Sequence, residues 1–507
     1  MARARQSQAG ATTQRRTRRT SAATARRASA APATSGGTSA ILAWEDDPGP
    51  PPVTRTPVDR PAPNLSPGSL PIRIKDTAPP IGKHPLGTPE FRYWAAADAL
   101  ARAGEFWTTF LGGTTWQTAN RPKLPVALDE GTQLNAFYSR DDDGQQPGLH
   151  FFHGTVLGTT LFSGESPDVV CHEFGHAVLD AVRPELWDAM AGEIAAFHES
   201  FGDMSAMLSA LRLRSFATRL LTESGGRVAC TSRLSRLAEQ LGWGIRQCRP
   251  DAVAPDCLRE AANSFFYQPP EQLPPQAPAA QLSSEPHSLS RVFTAAFLDG
   301  LAGMFFLPTT QHDEDGLAAI AGDAGRLLIE GIKASPVVPT YFSQIAIHML
   351  LADQALNGGK YLQPLARGFL GHGILSLDSA TGELTPPAAA RTRAARAAEA
   401  APLATITVPG ARFGLKDDLQ LVSASQPKRL AVAGAARDLG GVEPVDHDKA
   451  AQGFFEDLVR RGRVDFGDFG VPSVDAPDTR KTHVIVRERQ RLVLRRRYFD
   501  CGFDCCG

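Results

Sequence analysis

No run of 18 apolar residues occurs in this 507-residue chain, which excludes an ordinary transmembrane helix. The first residues hold no apolar core of the secretory-signal kind, so the expected location is cytoplasmic. Cysteine is scarce. Seven are too few for a disulfide scaffold of this length, and an odd total without a signal points to mostly reduced thiols; Cys230, Cys248 and Cys257 would pair only in a secreted setting. A formal net charge of -1 excludes a global basic field for nucleic acid. Acidic residues are missing altogether from residues 1–44, which are arginine-rich among Ala, Ser, Thr and Gln and too poor in apolar surface to fold. That stretch reads as a plain disordered tail, a basic arm for nucleic acid or an acidic partner, or a transit-like leader.

With 42% hydrophobic residues the chain can bury a large core in two or three domains. Within it, "DVVCHEFGHAVLDA" (168–181) sets two histidines four apart, with a glutamate after the first. Asp168 can cap a helix here, and Val169, Val170, Phe174, Ala177 and Val178 recur at helical intervals. His172 and His176 then share one face and can grip one ion. Alternatively, both are hydrogen-bonded core histidines. A third ligand decides between the two readings, because zinc sites of this kind take two His and one carboxylate and leave a fourth position open.

"MAGEIAAFHESFGDMSAMLSAL" reads as a second helix with Glu199 and Asp203 again four apart. Glu199 can reach the ion, while Asp203 can accept a hydrogen bond from the far nitrogen of a ligating imidazole and fix its ring. His198 competes with Glu199 but lies about 100° away around the helix. Glu193 is a further candidate without a partner of its own. Cys171 is read as a small buried hydrophobe and not as a fourth ligand.

These residues resemble the gluzincin metallopeptidases, specifically the thermolysin-like and fungalysin-like group, whose H-E-x-x-H helix is followed by an E-x-x-x-D helix. The resemblance covers about residues 90–375, with 22 residues between His176 and Glu199. "LNAFYSR" (134–140) looks like the family's edge strand, which implies that Asn135 and Ala136 hold the substrate backbone. An exposed edge can pair with an extended peptide. By the same resemblance, "SSEPHSLSRVF" carries His287, a donor to the developing oxyanion worth about 3 to 4 kcal/mol.

The implied protein is a zinc-dependent metalloendopeptidase acting on peptides or proteins. His172, His176 and Glu199 hold one catalytic Zn²⁺, and Glu173 serves as general base. The alternative is a catalytically silent zinc-binding scaffold of the same fold that holds peptides. One departure stands out: the family's tyrosine beside the histidine has no counterpart in "AVLDAVRPELWDAMAGEIAAF", where Trp187 offers only an indole N–H. The family's carbonyl-binding arginine is not placed either, with Arg212, Arg214 and Arg291 as candidates. Calcium has no support beyond Asp168 and the "DDDG" run at 141–144, which reads as a solvated turn.

The expected fold is α+β and thermolysin-like, with a strand-rich N-lobe, a helical C-lobe, an active-site cleft between them and a small β-rich C-terminal appendage. The expected organisation is a disordered Arg-rich and Pro-rich tail at 1–89 and a strand-rich lobe with the zinc helices at 90–205. A helical lobe at 206–375, an Ala/Arg linker at 376–402 and a β-rich region at 403–507 follow. The stretch from Trp44 to Pro71 is read as an extended linker without packing, and folding is expected to begin near Phe91. Some 85 residues precede the resemblance, in place of a large inhibitory pro-segment. The enzyme is then either made active or restrained by its own tails, and the terminal "CGFDCCG" has no assigned role.

Overall fold

The computed structural model describes residues 40–118, 122–140, 146–377, 403–424, 445–470 and 480–501, all within the compact unit Ser39–Gly507. The expectations for residues 1–39, the "DDDG" run, the Ala/Arg segment from 378 and the last six residues fall outside these.

Strands β1 (Ala40–Ala43) and β2 (Val58–Pro61) pair antiparallel, and β3 (Ile72–Ile74) leads to helix α1 (Pro89–Thr108). Strands β4 (Leu124–Ala127), β5 (Ala136–Ser139) and β6 (Gly148–Phe151) precede a hairpin of β7 (His153–Val156) and β8 (Thr159–Phe162). Helices α2 (Pro167–Val182), α3 (Glu185–Asp188), α4 (Gly192–Ala210) and α5 (Arg214–Ser224) follow, then β9 (Arg236–Leu237), α6 (Glu239–Cys248) and β10 (Arg259–Glu260). Four more helices complete the middle: α7 (Pro286–Phe305), α8 (Glu314–Ala334), α9 (Tyr341–Asn357) and α10 (Leu362–Gly371). The C-terminal region holds β11 (Ala404–Val408), β12 (Leu419–Ser423), α11 (His447–Arg460), β13 (Val464–Asp465), β14 (His483–Glu488), β15 (Arg491–Arg496) and β16 (Tyr498–Asp500).

The chain is therefore α+β, with a strand-rich N-terminal region, a helix-rich middle and a β-rich C-terminal sheet. Among the described residues no helix is long and apolar enough to cross a membrane. The N-terminal sheet runs β16-β5-β6-β4-β3 and the C-terminal one β11-β12-β15-β14-β13. One core joins α1, α2, α4 and α7–α10 through residues such as Phe174, Phe197, Phe201 and Phe293, all fully buried. A smaller cluster packs Leu419, Leu421, Phe455 and Ile485 of the C-terminal region on Met190 and Ala195.

Helix α2 starts two residues earlier than Asp168 capping implies. Ser166 is the N-cap, its hydroxyl accepting the Val169 N–H, and Pro167 occupies the first turn where its missing N–H costs nothing. Asp168 instead accepts the Ala238 N–H at 3.0 Å.

Folding also begins well before Phe91. Trp44 stands edge-on to Phe91 at 5.9 Å, and β1 packs on α1. Buried Asp47 accepts hydrogen bonds from the Gly49 N–H, the Gln240 N–H and the Ser166 hydroxyl, while Arg233 meets Asp46 at 2.5 Å. The acids of "WEDD" find donors almost 200 positions away, pairings that local composition does not encode.

The C-terminal region likewise extends beyond its own sheet. Only Arg497 separates β15 from β16, and β16 belongs to the N-terminal sheet as the antiparallel neighbour of β5.

Candidate metal centre

Helices α2 and α4 carry the cluster and pack closely against each other. The ligating atoms of His172, His176 and Glu199 lie within 4.8 Å of one another, and all three residues are buried. Glu199 Oε2 is 3.4 Å from His172 Nε2, and Oε1 is 3.7 Å from His176 Nε2. Ligands bound about 2.1 Å from a tetrahedral zinc stand roughly 3.4 Å apart, close to both of these carboxylate–imidazole separations. His172 Nε2, His176 Nε2 and Glu199 Oε2 have no hydrogen bond among the described residues, although buried polar atoms normally find one. Burial first, then the positive neighbours, holds the His176 imidazole well below its usual range, in the neutral form a metal needs. The residues fit zinc.

Asp203 lies 2.9 Å from His172 Nδ1. It is also gripped by Arg259, whose Nη2 donates to Oδ1 at 2.7 Å and whose Nε donates to Oδ2 at 3.0 Å. Burial pushes the Asp203 carboxyl up, but Arg259 and His172 outweigh it and bring it down to about 2. Sequence reasoning did not find Arg259. It sits on the two-residue strand β10, in "CLRE", where no periodicity singles it out. The arginines it did consider are engaged elsewhere: Arg212 approaches Glu105 at 3.8 Å, Arg214 binds Asp315 and Glu314, and Arg291 donates to the carbonyls of Ala279 and Gln281.

Glu173 is fully buried one residue after the first ligand, and no nitrogen or hydroxyl donor among the described residues hydrogen-bonds to its oxygens. Burial pushes its carboxyl up to about 7. Its polar neighbours include the thiol of Cys501.

His287 stands near the start of α7, with Nε2 3.2 Å from Glu199 Oε2 and Nδ1 2.6 Å from Glu285 Oε1. Burial lowers the affinity of its ring for a proton, but Glu199 and Glu285 together raise it to about 10. Nε2 also lies 2.5 Å from the carbonyl oxygen of Asp500, in β16.

Asn135 and Ala136 lie at the start of β5 and are buried. The Ala136 carbonyl accepts the Cys501 N–H at 3.1 Å. The edge that the sequence predicts to be exposed is thus covered by strand β16 of the same chain.

The competing ligands fall outside the cluster. His198 is buried but stacks on Phe499 at 4.0 Å, and Glu193 accepts the Tyr267 hydroxyl and the Phe342 N–H. Trp187 is core, edge-on to Tyr138 and Phe499. Cys171, Cys230, Cys257 and Cys501 are free thiols, whereas Cys248 is disulfide-bonded.

Two helices thus deliver a buried His-Glu-x-x-His cluster with a third acidic ligand in a mixed α+β fold, consistent with a gluzincin-type zinc site. No protein-family profile matches the chain, and comparison with curated proteins finds no similar sequence.

Proposed function

We propose that the protein is a zinc-dependent metalloendopeptidase of the thermolysin-like gluzincin group. The observation that carries this reading is Glu173, a fully buried carboxyl beside the ligand set whose polar surroundings include the Cys501 thiol. A zinc site serving only to hold the fold together has no use for a carboxyl buried at this position. With its carboxyl brought up to about 7, Glu173 is poised to take and return a proton near neutral pH.

His172, His176 and Glu199 would hold the Zn²⁺, which when bound acidifies water and polarises a carbonyl. Asp203, held by Arg259, would keep the His172 ring oriented with Nε2 towards the ion. Glu173 would accept a proton from the attacking water and deliver it to the departing amine. His287, oriented by Glu285, would donate to the oxyanion, and the Ala136 carbonyl would anchor the substrate amide. The Nε2 of His287 already reaches a backbone carbonyl at the site.

The test is digestion of an unrelated denatured protein by the full chain, with and without chelator, alongside Glu173→Gln and Phe499→Gly. Phe499 wedges β16 against His176 and His198, so Phe499→Gly loosens the strand that covers the cleft. Zinc-dependent cleavage that disappears in Glu173→Gln, while that variant keeps its zinc, is expected. Stoichiometric zinc with no digestion by any form would assign the chain to the silent peptide-holding scaffold.

A further inference from the structure

Strand β16 lies on β5 in antiparallel register, Tyr498 opposite Ser139, Phe499 opposite Tyr138 and Asp500 opposite Phe137. This is how an extended peptide adds to a sheet edge. The strand ends over the metal cluster. The Asp500 carbonyl oxygen is 2.5 Å from His287 Nε2, and the next amide, that of Cys501, donates to the Ala136 carbonyl at 3.1 Å. The two ends of a single peptide bond are therefore held from opposite sides, beside Glu173.

The side chains fix the same pose. Phe499 stacks on His176 at 5.0 Å and on His198 at 4.0 Å, under the guanidinium of Arg496. The Asp500 carboxylate meets Arg463 at 3.3 Å, and Cys501 is buried.

We infer that the Asp500–Cys501 peptide bond is a substrate of this same site, cut in cis to separate residues 501–507 from the chain. The inference rests on the peptidase reading and names its first substrate as the protein's own C-terminal strand. One water is consumed. Its oxygen bonds to the Asp500 carbonyl carbon as the C–N bond breaks, giving an α-carboxylate on Asp500. Glu173 takes one proton from that water and passes it to the Cys501 nitrogen, which leaves as a free α-amine. No oxidant or further reactant is required.

The experiment loads the full chain with zinc, reduces it after incubation and records intact mass, alongside digestion of an unrelated denatured protein. Conversion to a chain ending at Asp500 with release of the heptapeptide CGFDCCG, absent in Glu173→Gln, is the expected result. If wild type or Phe499→Gly digests the unrelated protein while the Asp500–Cys501 bond of the wild type stays whole, the inference is overturned and the peptidase reading stands. If neither form digests anything, the peptidase reading fails and takes the inference with it.

Seating of the strand is read separately, on the metal-free chain, from alkylation of individual thiols. Cys501 should react about tenfold or more slowly than Cys230, as a closed segment does. Equal rates would overturn the pose on which the inference depends.

Discussion

Gly175 and Gly202 face each other where α2 and α4 touch: a Cβ on Gly175 would lie 2.9 Å from the Gly202 Cα. A Cβ on Gly202 would lie 2.6 Å from Nδ1 and Cε1 of the His172 ring. The second glycine therefore clears the space in which the first ligand sits, and the pair lets the two ligand-bearing helices approach backbone to backbone.

Gly202→Ala is accordingly expected to weaken zinc binding by about 10–100-fold, the usual loss when support around a ligand is disturbed. Competition titration against a chelator measures it. Wild-type affinity in this variant would mean that the His172 ring has room to move without penalty.

Arg259→Met leaves the Asp203 carboxylate buried without its cation, and a loss of about 3–5 kcal/mol in unfolding free energy of the metal-free protein is expected. Replacing both as Arg259→Met with Asp203→Leu should recover part of it. Urea unfolding of the three proteins provides the comparison, and a double variant no more stable than the single one contradicts the pairing argument.

His287→Ala should retain zinc and lower the turnover of a peptide by about 10²–10³-fold, as removal of one oxyanion donor does. Loss of the metal instead would show that the ring supports Glu199, its neighbour at 3.2 Å, more than it serves the reaction.

Asp47 gives a pH dependence of unusual sign. Burial brings its carboxyl up to about 6, against hydrogen bonds from Ser166, Gly49 and Gln240 that pull it down. Between about pH 4 and pH 6 the unfolded chain has released this proton and the folded chain has kept it, so stability falls as pH rises through the window. Melting curves of wild type and Asp47→Asn from pH 4 to 7 should diverge in slope across that window. Parallel curves would rule out the contribution.

The ligand cluster was legible because its information is local. Two residues four apart on a helix must share a face, whatever surrounds them, and this holds for His172 with His176 and for Glu199 with Asp203. Gly175 and Gly202 were also in plain view, inside "HEFGH" and "SFGD", but their meaning depends on which helices meet. Arg259 and the burial of "WEDD" were not legible, since each depends on a partner far along the chain: Arg259 on Asp203, Asp46 on Arg233. The strand character of "RRRYFD" could be read, but its location could not. Alternation says that a segment is extended and is silent on which sheet receives it.

The single residue between β15 and β16 has a consequence for competition. A strand joined so briefly to its anchoring sheet returns to the edge of β5 at an effective concentration of millimolar order. Any free peptide must contend with that constant presence, and cutting after Asp500 would not dilute it, because residues 498–500 stay tethered to β15. Whatever grips the C-terminal sheet and draws it away from Met190 and Trp187, to which it is hydrogen-bonded through Val422 and Arg496, also draws the strand out of the cleft.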